Sequence, residues 1–250
     1  MLWVLDLDGV VWLAGTVIPG ADEAVRRRHD AGETVAFLTN NSGPTLSDDV
    51  AMLGRVGIEA DRSELVTSAQ AAASLVEPGS RVAVVGGPGV TEALEVRGVT
   101  VVPAREDPMA VVVGRNLHLD FDALADAAGA IRAGARFIAT NTDATFPTPD
   151  GLEPGAGALV AYLEVGSGRK AEIAGKPHQA AAGLLRDRFG PPGLVVGDRP
   201  DTDGLFAQLL GAPFALVLSG VTGPGDLPVS PEPAVVAANL AEVVESRLGR

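Results

Sequence analysis

Short apolar runs alternate with stretches of helical spacing along the chain. An apolar run opens the sequence, helical spacing follows over residues 21–31, a second apolar run covers 34–38, and another helical stretch covers 46–55. Strand, helix, strand and helix in this order predict a parallel sheet with helices on its faces. We therefore expect an α/β fold whose core is a doubly wound, Rossmann-like parallel sheet.

The middle of the chain repeats this alternation as a separate unit. Strands are predicted here at 81–85, 99–102, 110–113 and 136–139, helices at 121–133 and 158–163, and a long loop at 140–157. Another long loop is predicted at 9–20, after the first apolar run. The turn residues 77–79 mark the start of the unit. A helix over 178–189, strands at 194–197 and 214–218 and a C-terminal helix resume the first pattern. We predict a core formed by residues 1–78 and 174–250, with a small α/β domain inserted at 79–173.

Composition narrows the class of protein. Of 250 residues, 46% are hydrophobic and 20% charged, which is sufficient for a packed core. The net charge of −13 argues against nucleic-acid and membrane partners, which require a basic face. The absence of cysteine excludes thiolate chemistry. Neither a signal peptide nor a membrane span is apparent, so a cytoplasmic protein is expected.

Two carboxylates, Asp6 and Asp8, follow the first apolar run, and Gly9 comes next. In an extended strand they project from the same side of the backbone. Because burying unpaired carboxylates is costly, the pair should lie at the strand end and face a cation. A divalent metal with an anionic substrate fits this requirement. The alternative is an edge strand that runs into an acidic, solvated turn.

Polar groups also follow the other predicted strands. Residues 39–42, with the sequence Thr-Asn-Asn-Ser, end the second strand, where open α/β sheets bind ligands. Their hydroxyl, amide and backbone N–H groups suit a phosphate, although an ordinary loop that caps the next helix would look the same. Asp198 and Asp203 follow the strand at 194–197, where helix capping by Asp201 or Thr202 is the alternative.

Lys176 is one of only two lysines in the chain and lies just before a predicted helix. A solvated loop lysine is the ordinary interpretation. Together with the carboxylates it suits phosphoryl transfer, in which Mg²⁺ takes carboxylate oxygens and the lysine neutralises developing charge. One aspartate can then attack phosphorus, and an acid/base two residues away, such as Asp8, can support hydrolysis of the aspartyl-phosphate.

Four segments, Asp-Leu-Asp-Gly-Val at 6–10, Thr-Asn-Asn-Ser at 39–42, Gly-Lys-Pro at 175–177 and Gly-Asp-Arg-Pro-Asp-Thr-Asp at 197–203, resemble the four motifs of haloacid dehalogenase-like (HAD) phosphatases. The insert at 79–173 resembles the α/β cap of the subfamily (IIA, NagD-like) that contains p-nitrophenyl and phosphoglycolate phosphatases. The resemblance covers nearly the whole chain. It implies an Mg²⁺-dependent phosphatase that acts on a small phosphorylated metabolite and allows a homodimer formed through the cap.

Carried over by position, the resemblance implies a role for each motif residue. Asp6 would be the nucleophile and Asp8 the general acid/base, and Lys176 would complete the catalytic set. The implied metal site comprises Asp6, Asp198 and the backbone carbonyl of Asp8, with Asp203 in support. The residues implied to bind phosphate or leaving group are Thr39, Asn40, Asn41, Lys176, Asn141 and Asp143.

Two features bear on the substrate and on alternative functions. Arg115-Asn116 replaces the apolar residue and acid usual in the related cap, and the chain has few aromatic residues, which favours a small polyol or hydroxy-acid phosphate over a stacked ring. Pyridoxal phosphate and nucleoside monophosphates stay among the candidates. The alternatives are a phosphomutase on the same core and a non-catalytic module that binds phosphometabolites or dinucleotides. The glycines at 86–89 lack the third glycine of a dinucleotide fingerprint.

Overall fold

The computed structural model describes residues 1–118 and 120–248. The strands are β1 (Leu2–Leu5), β2 (Trp12–Leu13), β3 (Thr16–Val17), β4 (Thr34–Thr39), β5 (Leu65–Thr67), β6 (Arg81–Val85), β7 (Thr100–Val101), β8 (Ala110–Val113), β9 (Arg136–Ala139), β10 (Thr145–Thr148), β11 (Gly151–Pro154), β12 (Glu172–Ile173), β13 (Leu194–Gly197), β14 (Phe214–Val217) and β15 (Val235–Ala237). The α-helices are α1 (Ala21–Asp30), α2 (Leu46–Arg55), α3 (Ser68–Ser74), α4 (Pro88–Val96), α5 (Phe121–Ala133), α6 (Ala156–Ser167), α7 (Gln179–Phe189), α8 (Leu205–Leu210) and α9 (Leu240–Leu248).

The larger sheet has six parallel strands in the order β15-β14-β13-β1-β4-β5. All four residues of β1 are buried because the sheet is covered on both faces. Apolar residues of α1 and α9 pack on one face, and those of α3, α7 and α8 pack on the other. This confirms the predicted parallel α/β core.

The smaller sheet has five parallel strands in the order β12-β9-β8-β6-β7. Helices α5 and α6 cover one face through residues such as Leu124, Ile131 and Leu163. The opposite face shares an apolar cluster with α3 and α4, to which Val112 and Ile138 belong. Its strands all lie within 79–173, the limits predicted for the inserted domain, and those limits stay a prediction.

Helix starts follow local signals in the sequence. Thr45 and Asp48 form a capping box at the start of α2, as their spacing predicts, and Thr67 and Gln70 do the same for α3. Pro177 lies two residues before the first residue of α7, where its missing N–H leaves no helical hydrogen bond unmade.

The predictions of long loops at 9–20 and 140–157 were wrong. The first contains a short antiparallel ribbon, β2 with β3, and the second contains the hairpin β10–β11. Pro147 and Pro154 argue against strands in the sequence, but a two-stranded ribbon tolerates proline because half of its backbone groups need no partner. Strands β5, β12 and β15 were also missed; each has only two or three residues.

Among the described residues, no helix is both long enough and apolar enough to cross a membrane.

Candidate active site

The predicted site residues converge at the carboxyl ends of adjacent strands in the larger sheet. Asp6 follows β1, Thr39 ends β4 and Asp198 follows β13, and β1 pairs with both of the other strands. The backbone N–H of Asp6 donates to the carbonyl of Val196 at 3.0 Å, which continues the sheet pairing one residue past β1. The parallel sheet thus brings together residues that lie far apart in the sequence.

Lys176 lies at the centre of these groups and is buried. Its Nζ is 2.9 Å from Oδ1 of Asp6 and 2.6 Å from Oδ1 of Asp203, and it also donates to the carbonyl of Leu38 at 3.2 Å. Burial alone would lower the pKa of Lys176, but the charges of Asp203 and Asp6 outweigh burial and raise it. The lysine therefore carries a fixed positive charge in the site, and it is not a solvated loop lysine.

Asp203 uses both carboxylate oxygens inside the protein. Oδ1 accepts from Lys176, and Oδ2 accepts from the backbone N–H of Arg199 at 3.1 Å. Its neighbours Asp201 and Thr202 do not cap a helix through their side chains, because a turn of π-helix over 200–204 precedes α8. Asp203 is thereby suited to hold Lys176 in position.

Three carboxylates lie close enough to share one cation. Ligand atoms of Asp6, Asp198 and Asp203 are all within 4.8 Å of one another, and all three residues are buried. Oδ2 of Asp198 accepts from the backbone N–H of Val221 at 2.5 Å, whereas its buried Oδ1 has no hydrogen-bond partner among the described residues. Burial first, and then the charge of Asp203, raise the pKa of Asp198 to about 7. A bound cation would relieve this repulsion.

Two glycines enclose the carboxylate of Asp198. A Cβ atom on Gly9, which has a φ of +84°, would lie 2.4 Å from Oδ2 of Asp198, and one on Gly220 would lie 2.0 Å from the same atom. Both distances are well inside van der Waals contact, so neither position accepts a side chain unless Asp198 moves. The sequence around Asp198 is therefore shaped to bring its carboxylate close to the backbone.

The carboxylate of Asp8 lies outside the three-carboxylate cluster. Its Oδ1 accepts from Nε1 of Trp12 at 3.1 Å, and burial raises its pKa to about 6, against the effects of Trp12 and then Lys176. A carboxyl with a pKa of about 6 is partly protonated close to neutral pH, so it can both donate and accept a proton there. This behaviour suits an acid/base.

Asn40 connects the core to the smaller-sheet domain. Its Oδ1 accepts from the backbone N–H of Lys176 at 2.9 Å, and its Nδ2 donates to the carbonyl of Lys176 at 3.2 Å and to Oδ2 of Asp143 at 3.2 Å. Asn141 donates from Nδ2 to the carbonyl of Asn40 at 2.6 Å. Burial raises the pKa of Asp143. The structure thus joins four predicted residues in one hydrogen-bonded network.

The remaining predicted residues also line the cleft, but some of their polar atoms already form hydrogen bonds within the protein. Oγ1 of Thr39 accepts from the backbone N–H of Asn41 at 2.9 Å, which leaves the hydroxyl proton of Thr39 available to a ligand. Oδ1 of Asn41 accepts from the N–H of Gly43 at 3.2 Å. Oδ1 of Asn141 accepts from the N–H of Asp143 at 3.0 Å, so the amide of Asn141 orders the loop.

Arg115 and Arg199 also line the cleft, although the sequence did not predict either of them as a site residue. The guanidinium of Arg115 lies 3.9 Å from the ring centre of Phe146 and 3.0 Å from Glu153, and both of these residues belong to the β10–β11 hairpin. The unusual pair Arg115-Asn116 was the signal in the sequence, but it did not show where the side chain of Arg115 points. The arginine fixes the hairpin above the cleft.

Comparisons with known proteins give matches to protein families and to curated relatives. Residues 3–100 match the family described as haloacid dehalogenase-like hydrolase, and residues 173–243 match the HAD-hydrolase-like family. The chain is 40% identical over 234 residues to D-glycerol 3-phosphate phosphatase of Mycobacterium tuberculosis, covering 89% of this chain and 64% of that protein, slightly less than two thirds of its length. It is 32% identical to dihydroxyacetone phosphatase of Corynebacterium glutamicum, covering 97% and 90%.

Solved structures give the same result. p-Nitrophenyl phosphatase from Archaeoglobus fulgidus superposes with a TM-score of 0.91 at 30% identity and covers 98% of each chain. Glycerol phosphate phosphatase from M. tuberculosis in complex with magnesium superposes with a TM-score of 0.90 at 35% identity and covers 97% of this chain and 75% of that one. These matches confirm the resemblance predicted from the four motifs.

Proposed function

The chain belongs to the haloacid dehalogenase-like hydrolase family, and on that premise we propose that it is a phosphatase of small phosphate monoesters with Mg²⁺ as its cofactor. The single observation that carries the proposal is the position of Lys176, whose ammonium contacts Asp6 in a cleft that Asp8, Thr39 and Asp198 also line. This arrangement combines a nucleophile, an acid/base and a fixed positive charge around the space for one phosphoryl group.

The residues fit a magnesium ion. Mg²⁺ prefers carboxylate and carbonyl oxygens, and Asp198 has a buried carboxylate oxygen without a hydrogen-bond partner in the described chain. The ion would be held by Asp6, Asp198 and the backbone carbonyl of Asp8. Asp203 would support this site by holding Lys176 in position. When bound, Mg²⁺ supplies positive charge that offsets the negative charge of the nucleophile and of the phosphate oxygens.

Asp6 supplies the nucleophile in this proposal. Its Oδ1 accepts from the N–H of Leu7 at 2.8 Å and lies 2.9 Å from Nζ of Lys176. Both contacts fix Oδ1, so Oδ2 is the oxygen directed to attack. Attack of Oδ2 on phosphorus forms the aspartyl-phosphate and breaks the bond between phosphorus and the ester oxygen.

Asp8 transfers the protons that the two steps require. In the first step its carboxyl donates a proton to the leaving alcohol oxygen. In the second step the resulting carboxylate accepts a proton from a water molecule as that water attacks phosphorus, which releases inorganic phosphate and restores Asp6. The hydrogen bond from Trp12 keeps Oδ1 of Asp8 oriented, and its elevated pKa makes both protonation states accessible.

The hydroxyl of Thr39 and the ammonium of Lys176 support binding of the transferred phosphoryl group, and the amide of Asn40 holds the backbone of Lys176 in place. The ammonium of Lys176 stabilises negative charge as it develops, and such preorganised charge is a major source of catalysis. The β10–β11 hairpin lies above the cleft through Phe146 and Pro147 and limits the size of the leaving group. The cleft has about 620 Å³ of empty space including its open mouth.

The test is release of inorganic phosphate from a panel of monoesters with and without Mg²⁺. The panel contains glycerol 3-phosphate, dihydroxyacetone phosphate, phosphoglycolate, pyridoxal phosphate, nucleoside monophosphates and p-nitrophenyl phosphate. We expect magnesium-dependent turnover of the small esters. Absence of turnover across the panel, from folded protein that binds Mg²⁺, would overturn the proposal and favour a phosphomutase or a binding protein.

A further inference from the structure

Asp49 is a buried carboxylate outside the catalytic set. It lies in the first turn of α2, is only 5% exposed, and its Oδ2 has no hydrogen-bond partner among the described residues. Its neighbour Asp48 provides a contrast, because the carboxylate of Asp48 is exposed and closes the capping box with Thr45. The start of α2 therefore requires one aspartate, and capping does not explain the second.

An unpaired buried carboxyl costs free energy. Oδ2 of Asp49 is closed to solvent, so a ligand in the compartment would offset this cost through a hydrogen bond with Oδ1. Burial, followed by the charges of Asp8, Asp48 and Glu92, raises the pKa of Asp49 to about 7. Each of these neighbouring charges is negative. A ligand group that meets Asp49 must tolerate this field, which disfavours a second anionic group on the ligand.

Asp49 lines a compartment between α2 and the β10–β11 hairpin. This leaving-group compartment has about 700 Å³ of empty space including its opening to solvent, and it is lined also by Trp12, Met52, Arg55 and Pro149. It shares Asp8, Asn41, Phe146 and Pro147 with the catalytic cleft. The two spaces therefore adjoin at Asp8, on the side where the leaving alcohol would lie.

We propose that Asp49 binds a hydroxyl group of the substrate's leaving alcohol in the leaving-group compartment, so that the enzyme prefers phosphate esters of small polyols. The inference rests on the proposed phosphatase function and names its substrate class. A hydroxyl donates to an ionised carboxylate and accepts from a protonated carboxyl, so it pairs with Asp49 in either form.

Three carboxyls, those of Asp8, Asp48 and Asp49, line the compartment with one arginine, Arg55, and this excess of negative charge disfavours a carboxylate ligand. Arg115 is engaged by Glu153 and Phe146. The guanidinium of Arg55 contacts Sδ of Met52 at 3.3 Å on the exposed side of α2. Trp12 and Phe146 provide apolar surface for the carbon chain of the alcohol. Asp49 thus provides a hydrogen-bonding carboxyl beside apolar surface, which suits the hydroxyls and carbon chain of a short polyol.

The experiment compares glycerol 3-phosphate with n-propyl phosphate, which has the same carbon chain without hydroxyls, and uses p-nitrophenyl phosphate as reference. The variants are Asp49→Leu, which removes hydrogen bonding, and Asp49→Asn, which keeps it. Asp187→Leu makes the same chemical change at an exposed position of α7 and serves as the matched control.

We expect Asp49→Leu to lower kcat/KM for glycerol 3-phosphate about 10- to 100-fold, the effect of losing one to two hydrogen bonds to a buried polar group. The values for n-propyl and p-nitrophenyl phosphates should change less than about 3-fold, and Asp49→Asn should keep most of the preference. An unchanged ratio between glycerol and propyl esters in Asp49→Leu, or an equal loss on all three esters, would overturn the inference.

A binding measurement separates this inference from the proposed function. Calorimetric titration of glycerol 3-phosphate and n-propyl phosphate into the magnesium-loaded protein carrying Asp6→Asn, with and without Asp49→Leu, reports the preference without turnover. If the wild type hydrolyses no monoester, the phosphatase proposal fails, and the affinity ratio still decides the role of Asp49. Equal affinities for the two esters in the presence of Asp49 would refute that role.

Discussion

The ammonium of Lys176 lies 2.6 Å from Oδ1 of Asp203, and both side chains are almost fully buried. The same ammonium reaches Asp6, so Asp203 holds the lysine against the residue we propose as nucleophile. The second oxygen of Asp203 is occupied by the backbone N–H of Arg199. Asp203 therefore positions a charge, although its distance alone would also permit metal binding.

Asp203→Asn should lower both activity and stability. The substitution keeps the size of the side chain but leaves the buried ammonium of Lys176 with one carboxylate, and breaking a buried ion pair costs about 3–5 kcal/mol when a charge is left unpaired. We expect a loss of about 2–3 kcal/mol in the free energy of unfolding, because Asp6 remains as a partner, and at least a 10-fold loss of kcat. Urea denaturation and initial rates measure these quantities.

Asp201→Asn is the matched control for Asp203→Asn. Asp201 lies in the same turn, its side chain is 74% exposed, and its ion pair with Arg199 is 3.8 Å long. Exposed pairs contribute little, so this variant should resemble wild type in rate and stability. Equal losses in the two variants would contradict a specific role for Asp203.

Asp6→Asn should abolish turnover while the fold is retained. An amide keeps an oxygen to accept from the N–H of Leu7, but it is a poor nucleophile and cannot form the aspartyl-phosphate. We expect kcat to fall at least about 10³-fold, with an unchanged circular dichroism spectrum. Near-wild-type phosphate release from this variant would eliminate Asp6 as nucleophile.

Gly220→Ala should weaken binding of Mg²⁺. The added Cβ would lie 2.0 Å from Oδ2 of Asp198, so the carboxylate must move from its present position. A displaced ligand of this kind should lower metal affinity at least about 10-fold. The thermal shift that Mg²⁺ produces in the absence of substrate reports affinity independently of turnover.

Gly183→Ala provides the comparison for Gly220→Ala. Gly183 lies in α7, and a Cβ there meets no atom within 4 Å. Alanine in a helix interior should raise stability by up to about 1 kcal/mol and leave the response to Mg²⁺ unchanged. Normal magnesium binding by Gly220→Ala would show that Asp198 does not hold the ion.

Asn40→Asp should impair activity, and Asp143→Asn should partly rescue it. The first change replaces the amide that donates to Asp143 with a carboxylate, which places two like charges about 3 Å apart. The second change removes that repulsion and restores a donor. We expect a coupling energy of about 1–3 kcal/mol from a double-mutant cycle on kcat/KM. Additive losses would show that the two side chains act independently.

Asp49→Asn should change how stability depends on pH. The pKa of Asp49 rises from 3.8 to about 7 on folding, so between these pH values the folded protein keeps a proton that the unfolded chain releases. The contribution of Asp49 to stability therefore falls as pH rises from about 4 to about 7 and is least favourable above 7. Asparagine does not ionise, so the stability of Asp49→Asn lacks this decrease with rising pH.

Urea denaturation in metal-free buffer at pH 5 and pH 8 tests this expectation. The free energy of unfolding of Asp49→Asn relative to wild type should increase by at least about 1 kcal/mol between the two pH values. Asp187→Asn, at an exposed position, should show no such change. A pH-independent difference for Asp49→Asn would indicate that Asp49 ionises normally in the folded state.

The candidate catalytic residues could be located in the sequence because they belong to local patterns. Asp6 and Asp198 follow buried strands, and the ends of adjacent parallel strands meet at one edge of the sheet. The β10–β11 hairpin was not readable, since proline within short runs argues against strands unless half of the backbone groups are unpaired. Because the hairpin was not predicted, the wall of the cleft that Phe146 and Pro147 form was not predicted either.

Arg115 shows a similar limit. Its sequence context indicated a departure in the cap, but the stacking on Phe146 and the ion pair with Glu153 depend on where the hairpin lies relative to Arg115. No local pattern encodes such a contact, because the partners are 31 and 38 residues away.

The alternation of strands and helices, the four motifs and hence the family follow from the sequence, since each depends on residues that are close together along the chain. Three relations are seen only in the folded protein: Asp203 holds Lys176, Asn40 joins Lys176 to Asp143, and Asp49 is buried beside the cleft. These relations join residues up to 136 positions apart or depend on which surfaces α2 and the hairpin cover. Burial and distance arise from packing of whole elements, and packing fixes the pKa values and partners of these groups.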